Sequence, residues 1–136
     1  MKKTAEELYP DEDFDWGGPS NYEPIYKSFG TLVRVDHIGE YQGDTQVLFY
    51  DDEKKQHGYM MFGWGSCTVC DRLQGCKNYD DVNDLIDELY QSVRWFDDDK
   101  EAYTFFTTHE WDYDFEHSKE FVSFCTEFFK RRLDEN

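Results

Sequence analysis

The chain has 136 residues, and its 31 Asp and Glu against 14 Lys and Arg give a formal charge of −17. A surface this negative repels nucleic acid and anionic membranes and attracts cations or basic clefts on other proteins. The length suits one domain with a real core, and an aromatic content of 19% argues against the disorder that net charge alone would suggest.

The hydrophobic fraction is only 38%, so the twelve Phe, ten Tyr and four Trp must carry much of the burial. No stretch approaches the roughly 18 apolar residues of a membrane span. The start, Met1-Lys2-Lys3-Thr4-Ala5-Glu6-Glu7, has no apolar run behind its lysines and does not read as a secretory signal. A cytoplasmic location is expected, with the four cysteines as thiols or metal ligands and not as disulfides.

Residues 1–30 read as an irregular acidic and aromatic arm, outside a single α+β domain at 31–136. They hold all three prolines, the pair Gly17-Gly18 and the run Asp11-Glu12-Asp13-Phe14-Asp15-Trp16. The arm is expected to be flexible or to drape over the surface. Its functional alternative is a recognition segment, with Phe14 and Trp16 as anchors and Asp11 and Asp13 as steering charges.

Residues 31–64 read as a three-stranded antiparallel meander. Thr31 to Ile38 alternates, placing Val33, Val35 and His37 on one face. Gly43-Asp44 turns the chain, Thr45 to Tyr50 forms the second strand, and Gly58 to Trp64 forms the third after a polar loop. A Gly/Cys loop follows at 65–79. From Asp80 the pattern becomes helical: Val82, Leu85, Ile86, Leu89, Val93 and Phe96 share one face, and Asp84, Asp87, Glu88 and Gln91 share the other. A second helix is expected from Asp97–Asp99, where Asp98 and Glu101 resemble a capping box. Thr107 to Phe115 reads as a loop or a short extended piece. A last helix is expected from about Ser118 to Leu133, giving about three helices packed on the sheet.

The Gly/Cys loop carries the nearest thing to a motif. Cys67 and Cys70 have the spacing of a zinc knuckle, and Cys76 offers a third ligand, with His57, Asp71 or Cys125 as a fourth. A structural zinc needs four ligands, and no second C-x-x-C pair exists. The competing reading is small thiols packed where strand meets helix, with Gly63 and Gly65 permitting close approach. A thioredoxin-type role is disfavoured, because that chemistry places the first Cys at a helix N-terminus.

Tyr41-Gln42-Gly43-Asp44, Gly63-Trp64-Gly65-Ser66-Cys67, Cys70-Asp71, Leu73-Gln74 and Ser92-Val93-Arg94-Trp95-Phe96 together resemble a family of small acidic proteins encoded mainly by bacteriophages and prophages. The similarity runs from roughly Val33 to Leu133. It implies a phage or bacterial cytosolic setting and supplies no mechanism. Residues 1–30 lie outside it.

Candidate catalytic groups are sparse. No H-E-x-x-H, phosphate-cradling glycine loop or G-x-S-x-G is present. His109-Glu110-Trp111-Asp112 with Asp114 and His117 reads as a solvated turn, or as a metal cluster. Asp44 reads as a turn residue. Arg94 is expected in an internal ion pair with Asp71 or Asp44. Three functions remain. One is an inhibitor that imitates nucleic acid and occupies the basic surface of a host nuclease or CRISPR effector. Its contacts would be Asp80, Asp81, Asp84, Asp87, Glu88, Asp97, Asp98, Asp99 and Glu101. Another is an interaction module, zinc-stabilised or not, that docks through aromatic side chains. The third is a metal-dependent hydrolase.

Overall fold

The computed structural model describes residues 3–111 and 115–135, with the side chains of 115–117 outside that description. Its elements are α1 (Ala5–Leu8), α2 (Glu23–Lys27), β1 (Thr31–Gly39), β2 (Gly43–Asp51), β3 (Gln56–Trp64), α3 (Tyr79–Ser92), β4 (Arg94–Trp95), α4 (Asp99–Thr108) and α5 (Phe115–Glu135). The class is α+β. The strands form one antiparallel sheet in the order β1-β2-β3-β4. The expected meander is β1 to β3, and a fourth strand extends it. No described helix is long and apolar enough to cross a membrane.

The sheet is covered on both faces. Successive strand residues point to opposite sides, so the unbroken burial of Thr45 to Phe49 in β2 requires cover above and below. Val47, Phe49, Met60 and Phe62 belong to one core, with Val82, Leu85, Ile86 and Leu89 of α3. Leu48 and Tyr59 belong to a second, with Ala102 and Phe106 of α4 and Phe121, Cys125 and Phe129 of α5. Helices thus lie on the two sides of a central sheet.

Residues 3–30 are part of this structure and do not drape over it. Ala5, Tyr9, Tyr22, Ile25, Tyr26 and Phe29 are buried in the first core. A capping box between Thr4 and Glu7 starts α1, whose Ala5 N–H donates to Asn83 Oδ1 of α3 at 2.8 Å. The Pro/Gly content of this segment shapes its path; its aromatic and aliphatic side chains fix its position.

Two expectations fail at particular residues. Val33 and Val35 do not share a face, because a register shift between Leu32 and Arg34 inserts a bulge at Val33. Val33 packs on the second core and Val35 on the first. The helix from Asp80 does not reach Phe96 either. It starts at an Asn78 cap, which accepts from Asp81 N–H, and ends before Val93, whose backbone is extended. Arg94 and Trp95 then pair with Tyr59 and Gly58. Gly58 is required there, since a Cβ would lie 2.9 Å from the Trp95 ring. Val93 stays in the first core while Phe96 crosses to the second.

The helix after Asp97 forms as expected, with Asp98 Oδ1 accepting from Glu101 N–H at 2.8 Å. The turn between β1 and β2 is Gly39 to Gly43, with Gly39 at φ 115°. Asp44 therefore lies within β2, paired with Ile38, and is not a turn residue.

Candidate functional site

The acidic residues divide between the layers. On α3, Asp80, Asp84, Asp87 and Glu88 are exposed, and Glu88 is ion-paired with Arg72, which lowers its pKa. Asp81 is half-buried and accepts from Lys77 N–H at 2.9 Å. The second group lies at the start of α4, in the other layer. Asp97 accepts from Gln56 Nε2, Asp98 is the cap, and Asp99 is ion-paired with Arg132 of α5 at 3.1 Å. Glu101 is half-buried. The two helices thus present two acidic patches on different sides of the sheet.

In the N-terminal segment, Asp11 and Asp13 are exposed, and Asp13 accepts from Asp15 N–H. Phe14 is spent on packing, edge-on to Tyr79 with centroids 5.2 Å apart. Trp16 is 92% exposed. Gly17 lies against the Gly/Cys loop, where a Cβ would come within 2.8 Å of Thr68 Cγ2. The same loop displays Val69 at 95% exposure.

The cysteines split into two kinds. Cys67 and Cys70 are exposed, and each backbone N–H donates to the other's Sγ, at 3.1 and 3.3 Å. The Cys70 thiol, together with the backbone N–H groups of Cys70 and Val69, stabilises the Cys67 thiolate, and the Cys67 pKa is lowered. Cys76 does not join them. It is buried, donates to Arg72 O, and its pKa is raised to about 11 by burial. Among the described residues no group of three or more His, Cys, Asp or Glu is placed to hold a metal ion. The loop is organised by Asp71 instead, which accepts from Gly65 N–H, Tyr22 Oη and Gln74 N–H. Asp71 is committed there, and Arg94 does not meet it. Arg94 lies over the Phe105 ring, 4.9 Å from its centroid.

A cleft of about 350 Å³ opens on the α4/α5 side of the sheet. Its floor is Ile38, Asp44, Gln46 and Tyr59, and its walls include Arg94, Phe105, His109, Glu110 and Trp111. Register explains the floor. Ile38 pairs with Asp44, and Asp44, Gln46 and Leu48 alternate onto the second-core face with Tyr59. Gln46 is fully buried; its Nε2 donates to Tyr59 Oη at 3.0 Å. Burial raises the Tyr59 pKa to about 12, so the phenol is neutral. Gln46 Oε1 and Trp111 Nε1 are buried with no hydrogen-bond partner among the described residues. Trp64 Nε1 is a third such atom, and Trp64 lines a smaller hollow of about 170 Å³ with Tyr22 and Asp71.

In the cluster expected around His109, the imidazole stacks on Phe105 at 4.7 Å and meets Trp111 edge-on. Asp112, Asp114 and the His117 side chain lie outside the described residues. Sequence reasoning passed over Gln46 and Tyr59. The available sign was a glutamine at an inward position of a strand otherwise rich in apolar residues. Comparison with protein-family models, curated proteins and solved structures returned no match.

Proposed function

We propose that this chain is an acidic binding protein whose α3 face occupies a cationic groove on a macromolecular partner, in place of nucleic acid. One observation carries the reading: four carboxylates stand exposed along one rigid helix, Asp80, Asp84, Asp87 and Glu88. Nine residues of α-helix span roughly 12 Å from first to last. A DNA strand carries one charge per about 3.4 Å, so three to four phosphates fill the same length, on the order of the helix's own count. The helix is held in place by the buried Val82, Leu85, Ile86 and Leu89, so these charges need little ordering on binding. The α4 carboxylates contribute to the overall field and not to the same groove.

The phage setting implied by the sequence resemblance makes a host nuclease or CRISPR effector the partner class. The test uses the whole chain, immobilised against bacterial lysate. Retained proteins should be displaced by duplex DNA and lost with Asp80→Lys/Asp84→Lys/Asp87→Lys. Equal retention by the triple variant sinks the reading.

A second reading is favoured by a separate observation. Trp16 and Val69 stand almost fully exposed on two segments that touch through Gly17 and Thr68. Exposed Trp often anchors an interface. A module docking there needs no zinc. Its binding would survive added salt and the α3 charge reversals, and would be lost with Trp16→Ala.

A further inference from the structure

The cleft over Gln46 is built differently from a gap left by imperfect packing. Gln46 is 0% exposed. Its amide is oriented by the bond from Nε2 to Tyr59 Oη, which leaves Oε1 as an acceptor with no partner among the described residues. Trp111, which also lines the cleft, has Nε1 as a buried donor in the same condition. Buried polar atoms of native proteins are nearly always paired, so an unpaired acceptor and an unpaired donor on two residues that line one cleft suggest what would complete it.

The walls narrow the choice. Phe105, His109, Trp111 and Tyr59 supply ring surfaces, with Trp111 edge-on to Tyr59 at 5.8 Å and edge-on to Phe105 at 5.9 Å. Such walls suit a planar, aromatic occupant. Asp44 and Glu110 outnumber Arg94 in the lining, which disfavours an anionic ligand. A pure hydrocarbon would leave Oε1 and Nε1 unpaired. The volume of about 350 Å³ falls in the range of small-molecule pockets.

We infer that this cleft binds a neutral heteroaromatic molecule of nucleobase or nucleoside size, which donates to Gln46 Oε1 and accepts from Trp111 Nε1. The inference rests on the cleft alone and does not depend on the role proposed for α3.

The experiment titrates the full chain with adenosine, guanosine, cytidine and uridine in turn, following the assigned indole N–H resonances by NMR. Toluene serves as the apolar control. At least one nucleoside should shift the Trp111 indole resonance saturably at millimolar concentration or below, and toluene should bind more weakly. Trp111→Phe keeps a ring and removes the N–H, and should weaken that nucleoside about tenfold, the worth of one hydrogen bond. Gln46→Leu should do at least as much, with circular dichroism checking that each variant is folded. The inference is overturned if no nucleoside saturates. It is also overturned if toluene matches the best nucleoside, or if the wild-type shifts fall on another indole.

Discussion

The two faces of the sheet are packed with different materials. The side carrying α1, α2 and α3 mixes aliphatic and aromatic residues, with Ile25, Val47, Leu73, Val82, Leu85, Ile86 and Leu89 among its Tyr and Phe. Among the described residues, the side carrying α4 and α5 is built mainly of rings: Tyr59, Phe96, Phe106, Phe121 and Phe129, with Leu48, Ala102 and Cys125 between them. Branched aliphatic chains pack closely against one another and support a helix whose outer surface is free for charge. Rings meet at preferred tilted and edge-on angles, and between Phe105, Trp111 and the sheet they leave a cleft. The first face holds a helix with its acidic side outward, and the second makes a concavity.

If this contrast is right, truncation should cost most on the ring face. Phe129→Ala, at a residue with no exposure that touches His57, Phe96, Phe106 and Phe128, should lower unfolding stability by about 4 kcal/mol. Leu85→Ala on the other face should lower it by about 3 kcal/mol. Denaturant melts of both variants would measure the difference, and a larger loss for Leu85→Ala would reverse the ranking of the two cores.

The first face has a polar fastening built on a buried carboxylate. Asp71 ties the Gly/Cys loop to Tyr22 and to Gly65, and Leu73 N–H donates to the same Tyr22 oxygen. Asp71→Ala should therefore cost about 2.5 kcal/mol, mostly from the orphaned donors. A loss under about 0.5 kcal/mol in the same melts would mean that the loop is held by packing alone.

On the ring face, burial and the nearby Arg132 push the His57 pKa down to about 4. The folded protein keeps this imidazole neutral, whereas the unfolded chain protonates it below about pH 6.5. Its contribution is complete above about pH 6.5 and is lost as the pH falls from there toward 4. With solvent screening allowed for, the loss amounts to about 2 kcal/mol. Comparing melts of wild type and His57→Phe at pH 7 and pH 4.5 isolates this share from that of the carboxylates. An unchanged pH slope would contradict the assignment.

The smallest effect is kinetic. Cys67 and Cys70 are exposed and Cys76 and Cys125 buried, and burial raises the Cys125 pKa well above the usual thiol value. Iodoacetamide should modify the first pair in the native state and the second pair only in denaturant, which mass spectrometry would resolve.

Where local chemistry decides structure, the sequence was readable. The strands at Thr31, Thr45 and Gly58, the Asp98 cap and the stripe Val82-Leu85-Ile86-Leu89 follow from alternation, capping and helical spacing. What escaped depends on distant partners. The helix from Asp80 stops at Val93 because Trp95 has a place over Gly58, and nothing local announces it. The N-terminal segment looked irregular because its prolines and glycines mask Ala5, Tyr9, Tyr22, Ile25, Tyr26 and Phe29, which are buried only in the shared core. The acidic surface was legible as an excess of charge. That its two helices lie in different layers was not, since the crossing is made by two residues of β4. The cleft depends on Gln46 and Trp111, 65 positions apart in the chain.

The central claim is that the α3 carboxylates stand in for phosphates. Once a partner is captured, the dependence of its binding constant on salt tests this most directly. The account predicts a steep linear fall of log K with log salt, as for a protein releasing nucleic acid, and a markedly shallower slope for the Asp80→Lys/Asp84→Lys/Asp87→Lys variant. A binding constant that scarcely changes with salt, or the same slope in the variant, would contradict it.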